Sequence, residues 1–313
     1  MRLDRKPDLD NANVGKWVKT EDYPQGSPFY FALSPGKGGT MKEKLAAAWD
    51  RVREQRPLVH HLTNYVTVND VANITLAAGA SPVMADCAEE VAEITRLSQG
   101  LCLNIGTINE RVQSSMLLAA QEATTLGHSI LLDPVGAGAS ALRTRAARGI
   151  MEAGKVTALR GNVSEIKSLL KEDSHVQGVD AGDCLPESTE EAAHWAMTAS
   201  RSLQSVIAVT GKVDLVADAE KCFAIYNGRL EMSRITGTGC QCSALAAAAL
   251  AAGSEPLIAA AAAVMAMGLA GEIAYSRLQA GEGNSTYRNR IIDAIYHLSG
   301  QELAEGARYE IHG

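Results

Sequence analysis

From residue 57 onward the chain alternates short, unbroken apolar runs with stretches in which apolar side chains recur every three or four positions. The first pattern fits strands buried on both faces, and the second fits helices that bury one face. A helix is predicted over residues 41–53, then strands over 57–63, 81–85, 101–105, 130–132, 156–159 and 206–209. The intervening helices carry Val71, Ile74 and Ala78, then Val91, Ile94 and Leu97, then Val112, Met116 and Leu117, with another over 187–203. Asn69 and Asp70 can cap the first of these and Gly79 can stop it. Strand alternating with helix predicts a parallel sheet covered on both faces. Ligands of such sheets bind beyond the carboxyl ends of the strands, so Asn64, Met84, Gly106 and Asp133 are expected to gather there.

The pattern changes after Thr210-Gly211. Residues 213–217, 221–226 and 229–235 read as close-spaced strands, with Asn227-Gly228 as a hairpin signal, which predicts an antiparallel edge. The apolar tract 244–271 is cut by Ser254-Glu255-Pro256 into two buried helices, each expected to be shorter than the ~20 residues that span a bilayer. Helices are expected to complete the chain to residue 300. Residues 1–44 mix charge with Gly and Pro and are predicted as an irregular N-terminal extension, followed by a single domain over 45–313. Ser34-Pro35-Gly36-Lys37 lacks the spacing and the preceding strand of a phosphate loop.

Composition narrows the function. The 313 residues are 46% hydrophobic, with a net charge of −7 and no basic run, which disfavours a nucleic-acid or anionic-membrane partner. Six cysteines, scattered except for Cys240 and Cys242, point to a reducing, cytoplasmic setting rather than a disulfide framework.

The stretch Ile235-Thr236-Gly237-Thr238-Gly239-Cys240 leads into the alanine-rich helix. Gly237 and Gly239 let successive N–H groups turn into one cavity at a helix N-terminus, where an anion is favoured. Cys240 would begin the first turn, where a thiol can act as weak base or nucleophile; a glycine turn before a buried small Cys is the plainer alternative. Asn162 and Glu165 have the spacing of a capping pair, or offer a carboxylate that orders Mg²⁺ on a nucleotide. Asp133 before Pro134 either starts a turn or serves a metal or the reacting hydroxyl, while Arg160 and Thr210 either meet phosphate or fill ordinary surface roles. His60 and His61 point to opposite faces of one strand and cannot share a metal. Cys240-x-Cys242 has no paired ligand cluster, and the glycines lack the third member of a dinucleotide fingerprint.

Taken in order, Leu58-Val59-His60-His61-Leu62-Thr63-Asn64, Gly79-Ala80-Ser81-Pro82-Val83-Met84, Leu103-Asn104-Ile105-Gly106-Thr107, Asp133-Pro134-Val135-Gly136-Ala137-Gly138, Arg160-Gly161-Asn162-Val163-Ser164-Glu165, Gly178-Val179-Asp180, Ala208-Val209-Thr210-Gly211 and Thr236-Gly237-Thr238-Gly239-Cys240 resemble the hydroxyethylthiazole kinases. The resemblance implies a ribokinase-like three-layer α/β/α fold, with a mostly parallel central sheet and an antiparallel edge. It implies ATP- and Mg²⁺-dependent phosphorylation of the hydroxyl of 4-methyl-5-(2-hydroxyethyl)thiazole in thiamine salvage. By position, Cys240, Gly237 and Gly239 would form the catalytic anion hole, and Arg160 and Thr210 would bind ATP phosphates. Met84, Gly237 and Asn64 would border the thiazole, and Asp133 and Glu165 would serve the metal. The family is typically a homotrimer with inter-subunit sites. Kinases of hydroxymethylpyrimidine and NAD(P)H-hydrate dehydratases share the scaffold, but normally carry Asp where this chain has Cys240.

Overall fold

The computed structural model describes residues 39–170, 185–186 and 188–313, and residues 36–313 cluster as one compact unit. Gly178-Val179-Asp180, Cys184 and the segment around Lys37 lie outside the described residues.

The first strand and helix pairs follow the hydrophobic pattern closely. In order they are α1 (Met41–Gln55), β1 (Leu58–Leu62), α2 (Val68–Ala77), β2 (Ser81–Val83), α3 (Val91–Leu97), β3 (Gly100–Asn104), α4 (Glu110–Leu126) and β4 (Ser129–Asp133). They continue with α5 (Ala141–Ala153), β5 (Ala158–Gly161), α6 (Val163–Leu169), α7 (Thr189–Leu203), β6 (Val206–Val209), β7 (Asp214–Ala217) and β8 (Cys222–Ile225). A 3-10 helix (Leu230–Arg234), α8 (Thr238–Ala251), α9 (Pro256–Ser276), α10 (Asn284–His297), α11 (Gly300–Gly306) and β9 (Tyr309–His312) follow. The strands form one nine-stranded sheet in the order β2-β1-β3-β4-β5-β6-β7-β8-β9. Pairing is parallel from β2 to β6 and antiparallel from β6 to β9.

Side-chain alternation along each strand feeds two cores, one on each face of the sheet. In β4, Leu131 joins the layer of α1, α2, α8, α9 and α10, whereas Ile130 and Leu132 join the layer of α3, α4, α5 and α7. Apolar all round, α8 and α9 are buried in the first layer, where their alanines allow close approach. At 21 residues, α9 is longer than the sequence reading allowed and is long and apolar enough to cross a membrane, but 83% of its apolar window is buried inside the fold. Pro256 at its first turn removes only an N–H that the helix leaves unpaired there.

Four expectations need correction. The span 229–235 is not a strand, and Asn227-Gly228 is not a hairpin turn. Asn227 is buried, and its side chain bonds to the C-terminal segment at Gly306 O and Arg308 N–H, which turns the chain into the 3-10 helix. The second partner of β8, after β7, is instead β9, the last strand, beyond the residue at which helices were expected to end the chain. Helix α2 starts at Val68 with Thr67 as its N-cap and no side-chain cap bond, so Asn69 and Asp70 lie within its first turn.

Register brings the carboxyl ends of the parallel strands into line. Asn104 is directly opposite Asp133, Leu62 opposite Leu103, and Gly161 opposite Val209. The residues that end or follow β1, β3, β4, β5 and β6 therefore share one edge, and the N-terminus of α8 meets it.

Candidate active site

Helix α8 begins without a side-chain cap. Its N-cap is Gly237, in the left-handed region at φ +94°, and the first intrahelical bond runs from Gln241 N–H to the Gly237 carbonyl at 2.9 Å. Helix geometry thus leaves the N–H groups of Thr238, Gly239 and Cys240 without an intrahelical acceptor, at the positive end of the helix dipole. Both glycines keep this mouth open. A Cβ on Gly237 would fall 2.7 Å from Thr67 Cγ2, and one on Gly239 would run into the Arg160 guanidinium.

The half-buried Cys240 is the third residue of α8. Its sulfur faces two amides, Asn64 Nδ2 at 3.3 Å and Asn104 Nδ2 at 3.2 Å. Asn64 also donates to Asn104 Oδ1 at 3.0 Å, and its own Oδ1 accepts from the Thr67 N–H and hydroxyl, each at 3.1 Å. These bonds fix the amide orientations and hold the sulfur as an acceptor. Asn104 Nδ2 lies 3.0 Å from Asp133 Oδ2, which also accepts from Ser243 Oγ at 2.7 Å.

Asp133 is fully buried, and its Oδ1 has no hydrogen-bond partner among the described residues. Burial raises its carboxyl to about 6, although Arg160, Ser243 and Asn104 pull the other way. Arg160 Nη1 is 3.8 Å from Asp133 Oδ2, and Nη2 donates to Thr210 Oγ1 at 2.5 Å. Asp214, at the start of β7, accepts from Gly211 N–H at 2.8 Å. Burial pushes its carboxyl up to about 6 against the pull of that N–H and of Arg160. Arg160 is therefore a nearly buried cation between two carboxyl groups, with its Nε unpartnered among the described residues.

A cavity of about 480 Å³ opens beside this cluster. Arg160, Thr210, Gly211, Lys212 and Asp214 form its polar wall, Thr238, Gly239 and Cys242 its junction with α8, and Val264, Met267, Gly268, Met232, Ser233 and residues 226–230 the remainder.

With this geometry in view, comparison with known proteins becomes specific. The family model for the Hydroxyethylthiazole kinase family matches residues 49–301. The chain belongs to the hydroxyethylthiazole kinase family. A hydroxyethylthiazole kinase of Clostridium acetobutylicum is 48% identical over an aligned length of 274 residues, covering 86% of this chain and 99% of that protein. The solved hydroxyethylthiazole kinase protein from Pyrococcus horikoshii OT3 is 39% identical, with a TM-score of 0.77 over 87% of this chain and 100% of the other. A ribokinase-like superfamily protein from Enterococcus faecalis V583 is 14% identical, with a TM-score of 0.52 over 78% of this chain and 88% of the other, a likeness of fold alone.

Within this member of the hydroxyethylthiazole kinase family, Asn64, Asp133, Arg160, Thr210, Gly237, Gly239 and Cys240 converge through the contacts above. Glu165 sits at the β5–α6 junction as a structural acceptor. Its Oε2 receives the Asn162 N–H and its Oε1 the Gly136 N–H, both at 2.8 Å, completing a capping box. Met84 is half-buried just after edge strand β2, which β1 separates from β3. His60 bonds to Thr95 and Ala85 on one face of the sheet, and His61 to Thr75 on the other. Burial pushes the Cys242 thiol up to about 12, so it remains neutral beside Arg160.

Asn104, Ser243, Lys212 and Asp214 were not among the residues singled out from the sequence. Asn104 stood in a motif of the resemblance but carried no role there, Ser243 was visible only as one helical turn beyond Gly239, and Lys212 and Asp214 only as charges after Thr210-Gly211.

Proposed function

We propose that this chain transfers the γ-phosphoryl group of ATP to the hydroxyl of 4-methyl-5-(2-hydroxyethyl)thiazole, a step of thiamine salvage. One observation carries the reading: the uncapped N-terminus of α8 opens between the Cys240 sulfur and the Arg160 guanidinium, beside a cavity of nucleotide size. The triphosphate lies along Arg160 and Thr210 toward α8, with Lys212 adding a second cation to that wall.

Phosphoryl transfer passes through a loose transition state whose charge spreads over the non-bridging oxygens. Preorganised donors suit it, and the free N–H groups of Thr238, Gly239 and Cys240 together with Arg160 supply them. Because the nucleophile needs little deprotonation, Cys240 in its thiolate form serves as a weak base that takes the hydroxyl proton as the new O–P bond forms and the γ-phosphorus–oxygen bond to the leaving ADP breaks. Asn64 and Asn104 hold the sulfur in place for that transfer. Asn64, Met84 and Gly237 border the thiazole ring.

No group of three or more His, Cys, Asp or Glu side chains is arranged as a metal site among the described residues. The unpartnered Asp133 Oδ1 nevertheless suits one bond to a hydrated Mg²⁺, and the Glu165 oxygens, each already accepting an N–H, suit contact through water. When bound, Mg²⁺ neutralises charge on the phosphates. The functional form is a cytoplasmic homotrimer of chains with one kinase domain over 45–313, preceded by an extension over 1–44. Burying β2 and the exposed Tyr65, Val66 and Leu97 against a neighbour would put Met84 and Asn64 near the subunit boundary.

The test is a coupled ADP-release assay with ATP and Mg²⁺, run with hydroxyethylthiazole, with hydroxymethylpyrimidine and with neither. ADP release confined to the thiazole arm supports the reading. Release with the pyrimidine alone would transfer the proposal to that substrate.

A further inference from the structure

One wall of the nucleotide cavity is residues 226–229, a loop without regular secondary structure between β8 and the 3-10 helix. Its polar groups are bonded from two distant parts of the chain. Glu272, on α9, accepts the Gly228 N–H at 2.6 Å, and Gly228 itself lies in the left-handed region at φ +119°. Arg308, just before β9, grips Glu272 with both terminal nitrogens, at 2.7 and 2.9 Å, and donates to the Tyr226 carbonyl at 2.9 Å. The backbone of Arg308 completes the hold. Its N–H donates to Asn227 Oδ1 at 2.8 Å, and its carbonyl accepts from the Tyr226 N–H at 2.9 Å. From below, Asn227 rests on Gly268, where an added Cβ would come within 2.8 Å of the Asn227 backbone.

We infer that Glu272 and Arg308 are positioning residues for nucleotide binding, and that the C-terminal segment is a strap that sets the wall against which the adenosine end of ATP packs. The inference rests on the reading of the cavity as the nucleotide site. The wall that bears Arg160 and Thr210 is taken by phosphate. The base is left the apolar surface of Val264 and Met267 and the backbone of residues 226–229. A flat ring bound against a loop needs that loop held in one conformation, because ordering it at the moment of binding would cost affinity. Burial alone would raise the Glu272 carboxyl. The Arg308 guanidinium and the Gly228 N–H more than reverse that, so Glu272 stays ionised and its grip is charge-assisted.

The experiment compares Glu272→Ala, Glu272→Gln, Arg308→Ala and, as control, Arg160→Ala in the full chain. Each is assayed for kcat, for KM of ATP and of hydroxyethylthiazole, and for Tm without ligands. The expected result for Glu272→Ala is an ATP KM raised about tenfold, with kcat and thiazole KM within about twofold, the pattern of lost uniform binding. Glu272→Gln, which keeps an acceptor for the Gly228 N–H, should recover most of the loss, and Arg308→Ala should raise ATP KM about threefold to tenfold. A Glu272→Ala protein with unchanged ATP KM overturns the inference while leaving the cavity reading intact, provided that Arg160→Ala still weakens ATP. Unchanged ATP KM in both overturns the cavity reading as well. An equal fall in kcat and rise in both KM values, tracking a lowered Tm and not restored by Gln, assigns the pair a merely structural role and also overturns it.

Discussion

The Asn104 side-chain amide joins the two polar centres of the site: its nitrogen stands 3.2 Å from the Cys240 sulfur and 3.0 Å from Asp133 Oδ2. One amide thus couples the placement of the Cys240 sulfur to that of the buried Asp133 carboxyl. Replacing Asn104 by Ala removes a donor from both and leaves a small void at the end of β3. The expected outcome is a kcat lowered about tenfold to a hundredfold, with ATP KM changed little. Steady-state kinetics check this, and a variant with normal kcat would detach Asn104 from catalysis.

Asp133 and Asp214 give the protein a signed dependence on pH. Each has a folded carboxyl raised from 3.8 to about 6, so the folded state holds its proton more tightly than the unfolded chain. The sign follows directly: between about pH 4 and 6 the unfolded state binds fewer protons, and each group lowers stability as pH rises through that window. A raised carboxyl of this size is worth on the order of 3 kcal/mol once fully ionised. The difference in Tm between Asp133→Asn and the wild type should therefore grow more positive from pH 4.5 to pH 7.5. Thermal unfolding at the two pH values measures it, and a difference that shrinks would reverse the assignment.

That cost at Asp133 is expected to be functional. The rate should fall on the acid side with an inflection near pH 6, as the carboxyl beside Arg160 takes up a proton. In Asp133→Asn the residual activity should lose this inflection. A pH profile of kcat/KM decides the matter.

The sequence was most readable where local and global signals agree. The short apolar runs over 57–63, 101–105 and 130–132 mark buried parallel strands, because a strand covered on both faces carries mostly apolar side chains, with the buried His60 and His61 among the exceptions. The far edge was less readable. Asn227-Gly228 carries a strong local turn preference, yet its conformation is set by bonds to Gly306 and Arg308, about eighty positions away. Strand β9 has only four residues, none of them buried, so no alternation stands out. Glu165 illustrates a different limit. Capping and metal service ask for the same residue at the same spacing, and the geometry shows the carboxylate bonded to two backbone N–H groups.

Glycine spacing at the head of α8 yields a further test. Gly239→Ala drives a methyl group into the Arg160 guanidinium, which is held by Thr210 and Asp133 and has little room to retreat. The expected effect is a loss of kcat/KM for ATP of about a hundredfold or more, with Tm within a few degrees, since the clash falls in the cavity and not in the core. Kinetics beside a thermal melt check both halves. A near-normal kcat/KM would mean that the phosphates do not approach this turn.

Glu165 separates stability from metal use. Glu165→Ala removes the capping box and the Gly136 bond together, so a loss of about 1–2 kcal/mol in unfolding free energy is expected. Chemical denaturation measures that loss, and a Mg²⁺ titration of activity should show half-saturation shifted to a higher Mg²⁺ concentration beside it. An unchanged Mg²⁺ response would leave Glu165 a purely structural residue.

The central claim is phosphoryl transfer to the thiazole alcohol at the head of α8. Its most direct test is ³¹P NMR with mass detection of the product formed from ATP, Mg²⁺ and hydroxyethylthiazole, by the wild type and by Arg160→Ala. The account predicts stoichiometric ADP and a thiazole phosphate monoester from the wild type, and a product rate lowered about a hundredfold or more in the variant. Absence of the monoester from the wild type, or its formation at an equal rate by Arg160→Ala, would contradict the account.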